Sequence, residues 1–257
     1  MQHCICNNPF VYSCAREGVD NGRDCDKIYL IIDVLSQWGG GTMRNTEKDE
    51  AQMSARRELF LNTGFAIFAD KGIETVSMQD VAKACGLGVA TLYRYFNTKL
   101  DFVIAIGAKR WTSFFNVIEA EYARRGGALM NAAEELDFYL SMYLLLYREY
   151  RDLLRFNQNF NSYIIHERAT PEQTREYLLS VEPFMRKFHI LYEKGRQDGT
   201  IRTDEPEQTV FTATMHIMLA VCGRFAQGVV VGGDSSEDLS RELMILKRMI
   251  LNAYTKA

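Results

Sequence analysis

Val76-Ser77-Met78-Gln79-Asp80-Val81-Ala82-Lys83-Ala84-Cys85-Gly86-Leu87-Gly88-Val89-Ala90-Thr91-Leu92-Tyr93-Arg94-Tyr95-Phe96-Asn97-Thr98-Lys99 is the stretch that decides the fold. Ser77 has the side chain of a helix N-cap, and Asp80 three residues on completes a capping box, with Val76 and Val81 at the two positions of a hydrophobic staple. Val81, Ala82 and Cys85 put small apolar groups on one side of that helix, and Gly86 falls where a left-handed residue closes it. A second helix is expected from Val89 to Tyr95. Leu92 and Phe96 face inward, leaving Thr91, Tyr93, Arg94 and Tyr95 on its other faces. From Val81 to Leu100 there are three bases (Lys83, Arg94, Lys99) and no acid, in a chain whose net charge is −3. That is the local sign a phosphate-facing surface requires. Two short helices joined by a glycine turn have the build of a helix-turn-helix that sets its second helix in the major groove of DNA.

Upstream, a first helix is expected from Lys48 to Lys71, ended by Gly72. Leu59, Phe60, Gly64, Ile67 and Phe68 fall within half its circumference and form the face for the two shorter helices. Arg56 and Arg57 point elsewhere, toward phosphates or simply toward solvent. Leu59-Phe60, Gly64-Phe65, Phe68, Gly72, Thr75-Val76, Val81-Ala82, Gly86 and Thr91-Leu92-Tyr93-Arg94-Tyr95-Phe96 with Lys99 form a multi-point pattern from Arg56 to Phe102. It resembles the TetR family of transcriptional regulators. The resemblance implies that Gly88, Val89, Ala90, Thr91 and Arg94 enter the major groove, that Gln79 reaches a base from the preceding helix, and that Tyr93, Tyr95 and Lys99 grip phosphates. The chemistry suits those roles, since Arg clamps guanine bidentately, Gln reads adenine, and Val or Ala contacts a thymine methyl. There are departures. Gly88 stands where the family commonly has Ser, a cap weaker by roughly a few tenths of a kcal/mol. Val89 stands where a polar or basic residue often follows. Hydrogen-bonded base reading therefore leans on Gln79, Thr91 and Arg94. Tyr93 also has a structural alternative, packing against the long helix that follows.

The 257 residues hold one large or two modest domains, with 47% hydrophobic and 25% charged residues and only four prolines. This composition favours an all-α fold. The expected organisation is a segment 1–46 that is disordered or not natively translated, a three-helix helix-turn-helix domain over 47–100, and a larger helical domain over 101–257. Within 1–42, Trp38-Gly39-Gly40-Gly41-Thr42 precedes Met43, and a purine-rich coding run there would resemble a ribosome-binding site. Met43 is the expected natural start; a genuine extension, such as an arm on DNA, is the alternative. Beyond Lys99 a long helix should run to about Arg125, stopped by Gly126-Gly127. Further helices are expected over about 131–167 (broken near Asn157–Asn161), 171–197, 206–231 and 236–255, with Gly232-Gly233-Asp234-Ser235 as a loop.

The last two helices carry apolar stripes. Val210, Ile217, Val221, Phe225 and Gly228 line one; Leu239, Leu243, Leu246, Ile250 and Ala253 line the other, widened by Met244, Ile245 and Met249. The resemblance implies that two such helices pair with their copies as a four-helix dimer interface. A monomeric core is the alternative. Aromatic and sulfur side chains crowd the middle helices, and Tyr143, Phe156, Phe160, Tyr163, Phe188, Tyr192, Met215 and His216 are candidate lining for an apolar or aromatic small molecule. His189, Arg155 and Asn161 join His216 as candidate polar anchors.

Other classes fare worse. Gly86-Leu87-Gly88 begins a dinucleotide fingerprint, but Thr91 occupies the third glycine position and a helix precedes it. No nucleophile motif appears, so no enzyme activity and no cofactor are expected. Cys4, Cys6, Cys14 and Cys25 with His3 fit no zinc spacing, and no metal is expected. Cys85 and Cys222 read as small core residues. Val210 to Val231 is long enough to span a bilayer but contains His216, Arg224 and Gln227, so a buried interface helix is expected in place of a membrane contact. With no secretory signal in view, a cytoplasmic location is expected. The partners implied are double-stranded DNA, a second copy of the chain, and an unidentified small ligand. A ligand-responsive repressor is the leading expectation; an activator, or an architectural DNA-binding protein without a ligand, is the alternative.

Overall fold

The computed structural model describes residues 46–228 and 239–256. The cysteine-rich segment, Met43 and the expected Gly232–Ser235 loop lie outside these residues. Residues 50–257 form one compact unit, and of residues 1–49 only the start of the first helix is described. The elements are α1 (Thr46–Lys71), α2 (Met78–Ala84), α3 (Val89–Tyr93), α4 (Lys99–Arg124), a 3-10 turn (Gly127–Leu129), α5 (Ala132–Glu149), α6 (Arg151–His166), α7 (Pro171–Asp198), α8 (Glu207–Gln227) and α9 (Ser240–Tyr254). The fold is all-α. Among the described residues the only extended pairing is an isolated bridge between Ile201 and Thr255.

The capping signals take the expected geometry. Asp80 N–H donates to Ser77 Oγ at 3.2 Å, and Ser77 N–H returns a bond to Asp80 Oδ2 at 2.9 Å. Val76 and Val81, the staple pair, are buried. α2 closes in a Schellman arrangement: Leu87 N–H donates to Ala82 C=O and Gly86 N–H to Lys83 C=O, both at 3.0 Å. Gly86 sits at φ +67, which an L side chain adopts only at a cost of about 1–2 kcal/mol. Thr98 and Asp101 form a second capping box that launches α4.

Two hydrophobic clusters share α4. Phe60, Leu61, Phe68, Val81, Leu92, Phe96, Phe102 and Ile106 form the core of the head, joined by Phe156, Phe160 and Tyr163 from α6. At Gly64 an added Cβ would lie 2.4 Å from the Phe102 ring, so the glycine is what lets α1 approach α4. Trp111, Phe114 and Ile118 begin the second cluster, completed by α5, the start of α6, α7, α8 and α9. The expected boundary at residue 100 is therefore not a break in packing, because α4 serves both cores. On α1 the inward face is Phe60, Leu61, Gly64 and Phe68; the expected Leu59 is exposed and Leu61 takes its place.

The expected interruption at Asn157–Asn161 is corrected. The break comes at Tyr150 (φ −130, ψ 38), between α5 and α6. Burial of Phe156, Phe160 and Tyr163, at helical spacing on one face, holds α6 together through its asparagines. α3 is also shorter than expected, with Arg94 as its C-cap.

Candidate nucleic-acid interface and ligand cavity

On α2 and α3, Gln79, Gly88, Ala90 and Arg94 are exposed, Tyr93 is 46% exposed, and Val89 and Thr91 are half-buried. Leu92 alone anchors α3 at 0% exposure. The helix therefore presents most of its short length outward. Its N-cap Gly88 makes no side-chain bond. The first-turn N–H groups are thus left for solvent or an anion.

Two of the residues expected to grip phosphates also make packing contacts. Tyr95 is half-buried, its ring 5.7 Å from that of Phe60, and its hydroxyl is buried without a partner. The chain turns out of α3 at Arg94 and carries the ring back onto α1. Lys99 is half-buried too, its amine over the rings of Tyr163 (5.4 Å) and Phe68 (6.0 Å). Burial holds its pKa below the ordinary lysine value. Both rings belong to the head's core. Arg57 likewise lies over the ring of Phe96, at 5.3 Å.

A cavity of about 470 Å³ opens among α4, α5, α6, α7 and α8. Of the expected lining residues, Tyr143, Met215 and His216 border it. Phe156, Phe160 and Tyr163 are instead committed to the head's core. Phe188 packs in the second core and lines a small chamber that shares Tyr139 and Phe184 with the cavity, while Tyr192 packs in that core and donates to the carbonyls of Thr203 and Glu205. Among the candidate anchors, Asn161 and His216 border the cavity. Arg155 is engaged at Ala226 C=O, and His189 pairs with Glu207 at 2.8 Å.

Trp111, Phe115 and Tyr177 are walls that were missed in sequence. Trp111 and Phe115 on α4 stack on each other, and Phe115 stacks in turn on Phe184 of α7, with centroids 5.2 Å apart. Asn157 accepts from the Trp111 indole at 3.3 Å and from the Tyr177 hydroxyl at 3.4 Å, tying α4, α6 and α7 together at the cavity wall. Tyr177 also packs on Phe160, with centroids 4.5 Å apart, so one ring touches both the cavity and the head's core. Its phenol is pushed up to about 12 by burial. The i, i+4, i+7 spacing of Tyr177, Val181 and Phe184 was the signal that could have found this wall.

The expected dimer residues divide. Val210, Leu243 and Ile250 are buried in the chain's own core, which corrects their assignment to a contact surface. Apart from the exposed Ala253, the narrow stripe on α9 faces inward, because α9 covers α5 within the same chain. Val221, Phe225, Leu239 and Leu246 are half-buried against that core. Ile217 on α8 is 45% exposed, and on α9 Met244, Ile245 and Met249 are exposed at 41%, 43% and 64%. α8 is long and apolar enough to cross a membrane by length and composition alone. It packs here against α5 and α6.

His189, Glu193 and Glu207 bring three metal-competent groups within 4.8 Å of one another. Glu193 is also bonded to Arg196 at 3.1 Å. Cys222 is fully buried, its thiol pushed up to about 12 by burial.

The family model of bacterial regulatory proteins of the TetR family matches residues 60–106. An HTH-type transcriptional regulator of Staphylococcus aureus (strain bovine RF122 / ET3-1) is 36% identical over 59 residues, 22% of this chain; the match spans only 32% of that relative's length. Among solved structures, a putative transcriptional regulator from Saccharomonospora viridis in complex with choline superposes with a TM-score of 0.61 at 18% identity, covering 79% of this chain and all of that one. The fatty acid degradation regulator FadR from Bacillus halodurans gives 0.60 at 16% identity, covering 76% and 94%. These two likenesses are of fold.

Proposed function

We propose that this chain, which belongs to the TetR family of bacterial regulatory proteins, represses transcription in the cytoplasm as a homodimer on a palindromic operator and leaves that operator when its cavity fills. The observation that carries this reading is the sharing of α4. The helix supplies Phe102 and Ile106 to the core behind the outward-facing α3, and Trp111, Phe114 and Phe115 to the cavity. A molecule in the cavity thus acts on the same rigid rod that carries the reading head. Whatever factor the ligand takes from DNA affinity, DNA must take from ligand affinity.

Gln79, Thr91 and Arg94 read bases in this proposal, and the exposed apolar groups of α8 and α9 meet their copies across a two-fold axis. The protein acts by binding; no catalytic step is assigned to it. Selection from a random duplex pool tests the reading, with the mass of the complex measured alongside. Inverted half-sites about one helical turn apart, ~34 Å, held by two chains are expected. A monomer bound to a single unrepeated site would overturn it.

A further inference from the structure

We propose that Asn157 is a positioning residue: its side-chain oxygen, shared by the Trp111 indole and the Tyr177 hydroxyl, latches α4, α6 and α7 in the arrangement that binds DNA, and a guest in the cavity opens the latch. This rests on the chain being a ligand-released repressor. Trp111 Nε1–H donates to Asn157 Oδ1 at 3.3 Å, and the Tyr177 hydroxyl donates to the same oxygen at 3.4 Å. Burial raises the Tyr177 phenol and the Trp111 indole N–H beside it works in the opposite sense, so both donors and the acceptor meet at one spot. All three side chains border the cavity, whose lining contains no Asp, Glu, Lys or Arg. A leucine would fill such a wall without the cost of desolvating an amide. What the amide adds is direction. A hydrogen bond weakens steeply once its angle closes, whereas apolar burial is non-directional.

The latch is tied to the reading head on each of its three helices. On α6, Asn157 lies between Phe156 and Phe160, both in the head's core. On α4, Trp111 follows Phe102 and Ile106 of that core. From α7, the Tyr177 ring packs on Phe160, and the two rings close together on α4 at Gly107. An added Cβ there would lie 3.1 Å from Tyr177 and 3.2 Å from Phe160. A guest large enough to shift the Trp111 or Tyr177 ring draws a donor off the shared oxygen, on helices that also hold the core behind α3. A contact made only in the DNA-binding arrangement favours that arrangement. Its loss must lower operator affinity and raise ligand affinity together.

Two titrations of the full chain test this, one by fluorescence with N-phenyl-1-naphthylamine, an uncharged two-ring aromatic, and one by anisotropy with the operator selected from the duplex pool. Asn157→Leu has no acceptor and should bind the operator about 3- to 10-fold more weakly and the probe more tightly by a similar factor. Tyr177→Phe removes one donor and keeps the ring, so it should move both affinities the same ways by less. Asn157→Asp keeps an acceptor oxygen and should stay within about twofold of the wild type in both titrations. A merely structural role would weaken probe and operator binding alike, and that result would overturn the proposal. So would an operator affinity unmoved by Asn157→Leu and Tyr177→Phe, or an Asn157→Asp protein that behaves as Asn157→Leu does. A wild-type chain that does not take up the probe, or takes it up and keeps its operator, overturns the ligand-released reading beneath the proposal instead.

Discussion

The amine of Lys99 lies 5.4 Å from the centroid of the Tyr163 ring, joining the first residue of α4 to the last turn of α6. A cation over a ring face contributes about 0.5–1 kcal/mol at a partly exposed site. Lys99→Ala is expected to destabilise the fold by about that amount, read by urea denaturation. The salt slope of operator binding should stay unchanged. A slope reduced by about one would make Lys99 a phosphate clamp after all.

Gln79 on α2 and Arg94 at the end of α3 are exposed and contribute nothing to the buried core. Arg94→Ala and Gln79→Ala should each relax preference at one base pair per half-site, costing about 1–3 kcal/mol if the contact is bidentate. Melting temperature should be unaffected. The check is a base-substitution panel for each variant; an even loss across the panel would mark a phosphate contact in place of a base contact.

How much of this was legible in the sequence depends on the range of the interactions. Ser77, Asp80, Val76, Val81 and Gly86 act within one or two turns, and their roles followed from spacing alone. The packing of Tyr95 and Lys99 was not legible because their partners, Phe60 and Tyr163, lie on other helices, and no local rule says which way a half-buried aromatic or lysine turns. The cavity was hardest. Every middle helix offers aromatics at helical spacing, so periodicity could not tell Phe160, sealed in the head, from Phe184, open to the cavity. Asn157 looked like a helix breaker because its two donors, on α4 and α7, cannot be seen from α6.

Met249 is 64% exposed on α9 and Ile217 45% exposed on α8. Met249→Glu combined with Ile217→Glu should yield a folded monomer with helical content intact. Operator affinity should fall by orders of magnitude through loss of the second half-site. Sedimentation velocity and circular dichroism decide it. The buried Leu243 makes the contrast, since Leu243→Ala should instead cost about 2–5 kcal/mol of stability.

His189 Nδ1 is 2.8 Å from Glu207 Oε2, bracing α7 against the first turn of α8. The hydrogen bond to Glu207 and its charge raise the His189 pKa above 6.5. A pKa raised on folding means that the charged pair stabilises fully below about 6.5, and the gain is lost as pH rises through the higher folded value. Melting temperature should therefore decline from pH 6 toward pH 8, and His189→Gln should flatten that decline. A slope unaltered by the substitution would assign the pH dependence to another group.

Tyr177 borders the cavity on one face and presses on Phe160 with the other. Protein interiors are as dense as organic crystals and compress little. A guest that pushes this ring away from the cavity would press it onto Phe160 and the head. The ring is a party wall: in the proposed dimer, occupancy on one side would become geometry on the other, and the spacing between two copies of α3 would register how full each room is.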